Sequence, residues 1–94
     1  MRLYYTISAA ESKRYLAACD RLLEQGKNVP RLNAKINELV GDYISVQTLR
    51  DWLSEPGRIP TDVAVKLVKY YDGISLVDLC PWLKGLVNKK GGGR

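Results

Sequence analysis

The sequence contains no histidine. That removes the side chain best suited to act as a general base near neutral pH, and with it a usual ligand for zinc. Cysteine is almost as scarce. Cys19 and Cys80 stand far apart and form no C-x-x-C pair, so a zinc site has too few of its usual ligands. Both lie among apolar residues, "AACDRLL" and "VDLCPWL", which predicts small buried hydrophobes. A disulfide is not expected in a reducing compartment. The one glycine run, Gly91 to Gly93, precedes no helix and so offers no phosphate-cradling loop. Carboxylates at helical spacing, Asp20 with Glu24 and Asp51 with Glu55, read as solvated surface charges rather than an acid–base pair. No enzyme, cofactor, metal site or small-molecule substrate is expected. Apolar runs fall short of the roughly 18–20 residues that span a bilayer, and the opening "MRLYYTIS" followed by charged sequence does not read as a signal peptide. The expected location is the cytoplasm or, if the chain binds DNA, the nucleoid.

What is present suits one small folded domain of 94 residues, 46% hydrophobic and 27% charged. The net charge is +5, yet residues 1–83 hold 11 basic and 10 acidic side chains. Most of the surplus therefore sits in Lys84, Lys89, Lys90 and Arg94. We expect a domain over residues 1–88 and a flexible basic tail over residues 89–94. A nucleic-acid partner would have to meet a locally sorted face, because the global charge says little.

The chain reads as all-α, a compact bundle of four to five short helices. "RLYYTI" is rich in β-formers but too short to be stable alone. Ser8 and Glu11 form a capping-box signature. Behind them Tyr15, Ala18, Cys19, Leu22 and Leu23 recur at helical spacing up to the stop at Gly26, giving a helix over 9–25. Pro30 opens a second helix, 30–40, with Leu32, Ile36, Leu39 and Val40 on one side and Gly41 at its end. Ser45 caps a third, 46–54, which Pro56 and Gly57 stop. A fourth starts at Pro60 or Thr61, lines its core side with Val63, Ala64, Leu67, Val68 and Tyr71, and closes at Gly73. Ser75 and Asp78 frame a short fifth turn. Trp82 and Leu83 should pack back on the body. Such helices are marginal alone, so their apolar stripes must meet in one core.

The third helix carries the functional signal. Val46, Leu49, Trp52 and Leu53 share its apolar side, while Gln47, Arg50 and Ser54 lie opposite, flanked by Thr48 and Asp51. An α-helix fits the major groove of B-DNA, where Gln can pair bidentately with adenine and Arg with guanine. A helix of about three turns, a glycine-containing turn and a capped short helix make a helix-turn-helix plan.

The stretch "ISVQTLRDWL…GRIPTDVAVKLVKYYDGISLVDLCPWL" resembles the Cro/YdaS group of small phage and prophage helix-turn-helix proteins. The pieces that carry the resemblance are Ile44, Ser45, Leu49 and Trp52; Gly57, Arg58, Ile59 and Pro60; Gly73; and Ile74, Ser75, Leu79 and Pro81. They cover about the last half of the domain. The resemblance implies binding to double-stranded DNA through the third helix, commonly as a transcriptional repressor in a lysis–lysogeny circuit. Base contacts carried over to this chain are Ser45, Gln47, Thr48 and Arg50. Val46 falls at a position that often faces DNA, where it could meet a thymine methyl. Two residues, Asp42 and Tyr43, stand beyond the compact form of the turn, and Asn37 occupies a place where a small residue is common.

Phosphate contacts are expected from Arg31 and Asn33 at the opening of the second helix, from Lys35, and from Arg58 just after the third. Lys66 and Lys69 are further candidates, with solubilising charge as the alternative. Asp51 could orient Arg50 or Arg58, or accept from a cytosine amino group. Trp52, Tyr70 and Tyr71 are expected to pack. Trp82 with Leu83, Leu86 and Val87 could form a dimer patch, making a homodimer or DNA-dependent oligomer a candidate assembly. The leading expectation is a sequence-specific regulator acting through paired half-sites. An excisionase or other DNA-bending architectural factor would use the same fold on tandem sites. A protein-interaction module without DNA binding is the reading from another class.

Overall fold

A computed structural model describes residues 6–83 of the chain. The expected tail over residues 89–94, Leu86, Val87 and most of the "RLYYTI" leader lie outside the described residues. The first helix, α1 (Ala9–Gly26), begins where the capping box placed it. The backbone N–H of Glu11 donates to Ser8 Oγ at 3.1 Å, and the N–H of Ser8 donates back to Glu11 Oε1 at 3.0 Å. Two otherwise orphaned donors are satisfied reciprocally. At the other end Gly26 is the last helical residue, and Lys27 takes the positive φ of 83°. The expected glycine stop thus works differently. A side chain at position 26 would sit 3.0 Å from the Leu32 side chain, so glycine there permits close packing of the next helix.

The second helix, α2 (Val29–Val40), starts one residue earlier than expected, because Asn28 is its cap: Asn28 Oδ1 accepts the N–H of Arg31 at 2.9 Å. Gly41 ends it in the left-handed conformation, its N–H bonded to the Asn37 carbonyl at 2.9 Å. The third helix, α3 (Val46–Ser54), has the bounds read from the sequence. The fourth, α4 (Thr61–Tyr70), follows Pro60. The fifth, α5 (Leu76–Leu79), leads into a single 3₁₀ turn over Pro81–Leu83. Ser75 makes no side-chain cap for α5. Asp78 instead turns its carboxylate toward Arg14, with Nε 3.9 Å away.

The protein is all-α, and the described residues form no strand. Helix α1 packs on α2, α3 and α5; α2 packs on α3 and α4; α4 packs on α5. Their stripes meet in one core of Tyr15, Leu22, Leu32, Ile36, Leu49, Ile59, Leu67 and Leu79, each nearly or fully inaccessible to solvent. Burying each such side chain contributes about 1.5–3 kcal/mol, which is what holds helices too short to persist alone. Cys19 and Cys80 are free thiols inside this core, as their neighbours implied. Polar straps add direction. Gln25 Nε2 donates to the Asp72 carbonyl at 2.7 Å, its Oε1 accepts the N–H of Asp72 at 3.2 Å, and Arg21 Nη1 donates to the Gly73 carbonyl at 3.0 Å. These tie the end of α1 to the turn after α4. No described helix is long and apolar enough to cross a membrane.

Candidate nucleic-acid interface

Helix α3 is anchored by Leu49, which is fully buried, and by Trp52 and Leu53, which are half-buried against the core. Its opposite side is open: Gln47, Arg50 and Ser54 are exposed. The spacing produces this division, since residues three or four apart share a helix face. Arg50 offers its guanidinium to solvent, with no hydrogen bond or ion pair from that group among the described residues. Gln47 Nε2 donates to Asp51 Oδ1 at 3.1 Å, one helical turn on. Ser54 folds its hydroxyl back onto the Arg50 carbonyl at 3.0 Å.

The other two expected base-reading groups are already engaged. Ser45 Oγ accepts the N–H of Thr48 at 3.1 Å and donates to Thr48 Oγ1 at 2.9 Å. Both residues are half-buried, so their first task is to cap α3. Val46 is also half-buried. Asp51 takes the Gln47 amide on its carboxylate and orients neither arginine; the partner of Arg58 is Glu55, with Nη1 2.8 Å from Oε1.

The expected phosphate contacts separate into three kinds. Arg31 is exposed in the first turn of α2, where helix N-termini favour anions. Lys35 is engaged: Nζ lies 3.0 Å from Glu38 Oε1 and 4.8 Å from the Tyr70 ring centroid. Hydrogen bonding to Glu38, and then to Tyr70, holds its pKa above the ordinary lysine value. Asn33 is a correction. It is buried, and its Nδ2 donates to the Ile44 carbonyl at 2.8 Å, so it faces the turn and not solvent.

That bond belongs to a small network the sequence did not announce. Asn37 Oδ1 accepts the N–H of Ile44 at 2.7 Å, while Asn37 Nδ2 reaches Asn33 Oδ1 at 3.4 Å. Two asparagines one turn apart on α2 thus hold both backbone groups of the residue that leads into Ser45. Asp42 and Tyr43 loop outward between Gly41 and this clamp, and Tyr43 is 79% exposed beside the start of α3. Lys66 and Lys69 lie elsewhere, on an open depression of about 300 Å³ with Leu39 and Tyr70. Tyr70 is half exposed there, and Tyr71, stacked edge-on against it at 4.9 Å, is buried.

No family model matches the chain, and neither a curated protein nor a solved structure matches it.

Proposed function

We propose that α2 and α3 form a helix-turn-helix and that the protein is a sequence-specific double-stranded DNA-binding regulator of phage type, acting as a repressor with α3 in the major groove. The observation that carries this reading is the two-sided character of α3. It is pinned by Leu49 and presents Gln47 and Arg50 outward, with the Arg50 guanidinium unpartnered among the described residues. The resemblance of residues 44–81 to the Cro/YdaS group points the same way. Direct readout falls to Gln47 and Arg50, with Thr48 and Ser45 at the helix start within reach of a groove edge only after their mutual bond rearranges. Arg31 and Arg58 supply backbone contacts.

The test is binding to a random-sequence duplex pool, followed by titration of the enriched duplex against salt. A preferred sequence is expected, with affinity falling as salt rises by about one log–log unit for each phosphate contact. Enriched inverted half-sites about one helical turn apart support a two-fold dimer. Tandem direct repeats with strong bending transfer the reading to an architectural factor. No enrichment, with no salt dependence, removes DNA as the partner and leaves a protein-interaction module.

A further inference from the structure

The hydroxyl of Tyr15 stands between two parts of the candidate interface. It donates to the carbonyl of Trp52 in the last turn of α3, and it accepts the N–H of Ile59 at 3.3 Å. Trp52 follows Arg50 by two residues, and Ile59 follows Arg58 directly. One buried hydroxyl on α1 therefore joins the helix that carries Arg50 to the turn that carries Arg58. The ring around it is inaccessible to solvent, so water cannot take over either bond. Burial, helped by nearby Cys19, raises the phenol's pKa well beyond its ordinary value, which keeps the hydroxyl protonated and able to donate.

We propose that Tyr15 is a positioning residue for DNA discrimination: its hydroxyl fixes the spacing between the base-reading Arg50 and the backbone-gripping Arg58. This rests on the DNA-binding reading above. A base-specific contact requires the guanidinium and its groove edge to coincide within a fraction of an ångström, whereas a phosphate contact tolerates drift. Loss of the bridge should thus lower affinity for the preferred sequence and leave general attraction to DNA intact.

The experiment uses the full chain with Tyr15→Phe, which keeps the ring in the core and removes only the bridge. Affinities are measured for the duplex enriched from the random pool and for a scrambled duplex, each across a salt series. A fall of about tenfold in the specific-to-scrambled ratio is expected, the scale of one hydrogen bond, with an unchanged salt slope. 4-Aminophenylalanine at position 15, which restores the donor to Trp52 at the same place, should recover part of the ratio lost in Tyr15→Phe. If Tyr15→Phe fails to fold, the amino variant is the test, because its nitrogen keeps the donor to Trp52 but accepts the Ile59 N–H far more weakly: a ratio below the parent's with an unchanged salt slope is expected, and a ratio equal to the parent's overturns the bridge. A ratio that stays constant in Tyr15→Phe, or a loss shared equally by both duplexes, overturns the positioning role. Should the parent protein prefer no sequence at all, the DNA reading fails separately. The bridge is then judged by residual dipolar couplings: an orientation of α3 against residues 57–60 that Tyr15→Phe leaves unchanged overturns it.

Discussion

Asn37 holds the backbone of Ile44: its Oδ1 accepts the Ile44 N–H at 2.7 Å across the outward loop of Asp42 and Tyr43. A turn whose middle residues, Asp42 and Tyr43, are exposed would by itself leave the entry to α3 loose. Here the Asn37 side chain closes the turn by holding the residue that leads into Ser45. We expect Asn37→Ala to lower stability by about 1–2 kcal/mol, because it leaves a half-buried donor unpaired. Asn37→Asp keeps the acceptor and should lose less. Urea unfolding measures both, with an unchanged m-value showing that the native state has not loosened. Equal stability of the alanine and aspartate variants would remove the Ile44 bond from the account.

Gly57 fixes the exit from α3 as Asn37 fixes its entry. Its φ is +81°, and a Cβ there would fall 2.5 Å from Ile7 Cδ1. The Ile7 methyl is the far end of a flexible side chain and can swing away, so backbone strain dominates. Gly57→Ala should cost about 1–2 kcal/mol, the ordinary cost of a left-handed alanine. Gly57→Asn, which tolerates that region better, should recover part of the loss in the same thermal or urea measurement.

The fold was legible because its signals are local. Ser8 with Glu11, Ser45, Gly41, and the stripes through Leu22, Ile36, Leu49 and Leu67 each act within a turn or two of chain. The outward side of α3 followed from the same periodicity, and Gln47 and Arg50 are where it put them. What was not legible depends on partners far along the chain. Asn33 reads as a polar residue at the start of a helix, and only the carbonyl of Ile44, 11 residues on, makes it an interior strut. Tyr15 reads as one more core residue, and nothing local announces that its hydroxyl meets Trp52, 37 residues away. The pairing of Arg58 with Glu55 was within reach, since the two stand three residues apart, but the turn after α3 carries no helical periodicity to orient them.

The two buried thiols, joined at higher pH by the Tyr15 phenol, set an alkaline limit. Burial pushes the Cys19 thiol from 9.0 up to about 12, against the opposing influence of the Tyr15 hydroxyl, and raises Cys80 as well. Below pH 9 the thiols are protonated in both the folded and the unfolded chain and contribute no pH dependence. Above that point the unfolded chain gives up protons that the folded protein retains, which favours unfolding. Stability should therefore fall as pH rises from 9.0 toward about 12, by up to about 1.4 kcal/mol per pH unit from Cys19. Cys19→Ala should be less stable at neutral pH yet show a shallower decline above pH 9. A decline as steep as the parent's would remove Cys19 as a cause.

Arg50 is the sharpest test of base reading. Its side chain is exposed and its guanidinium has no partner among the described residues, so Arg50→Ala should leave unfolding within about 0.5 kcal/mol of the parent. Binding to the preferred duplex should weaken by about 1–3 kcal/mol, and a repeat selection should show one position relaxed. Full affinity with an unaltered preference would take the assignment away from Arg50.

Arg58 should behave differently, because its guanidinium is already shared. Glu55 lies 2.8 Å from it, and both side chains are more than half exposed, so the pair adds little to stability. On the proposed DNA-binding reading the pair would matter: a carboxylate beside a cation that grips phosphate repels the backbone and competes for the same donors. Arg58→Ala should weaken all duplexes alike and reduce the salt slope by about one unit. Glu55→Gln should do the opposite, strengthening preferred and scrambled duplexes together while leaving their ratio unchanged. Fluorescence anisotropy over a salt series reads both variants. If Glu55→Gln changes the ratio and not the general affinity, the turn reads bases instead of gripping phosphate.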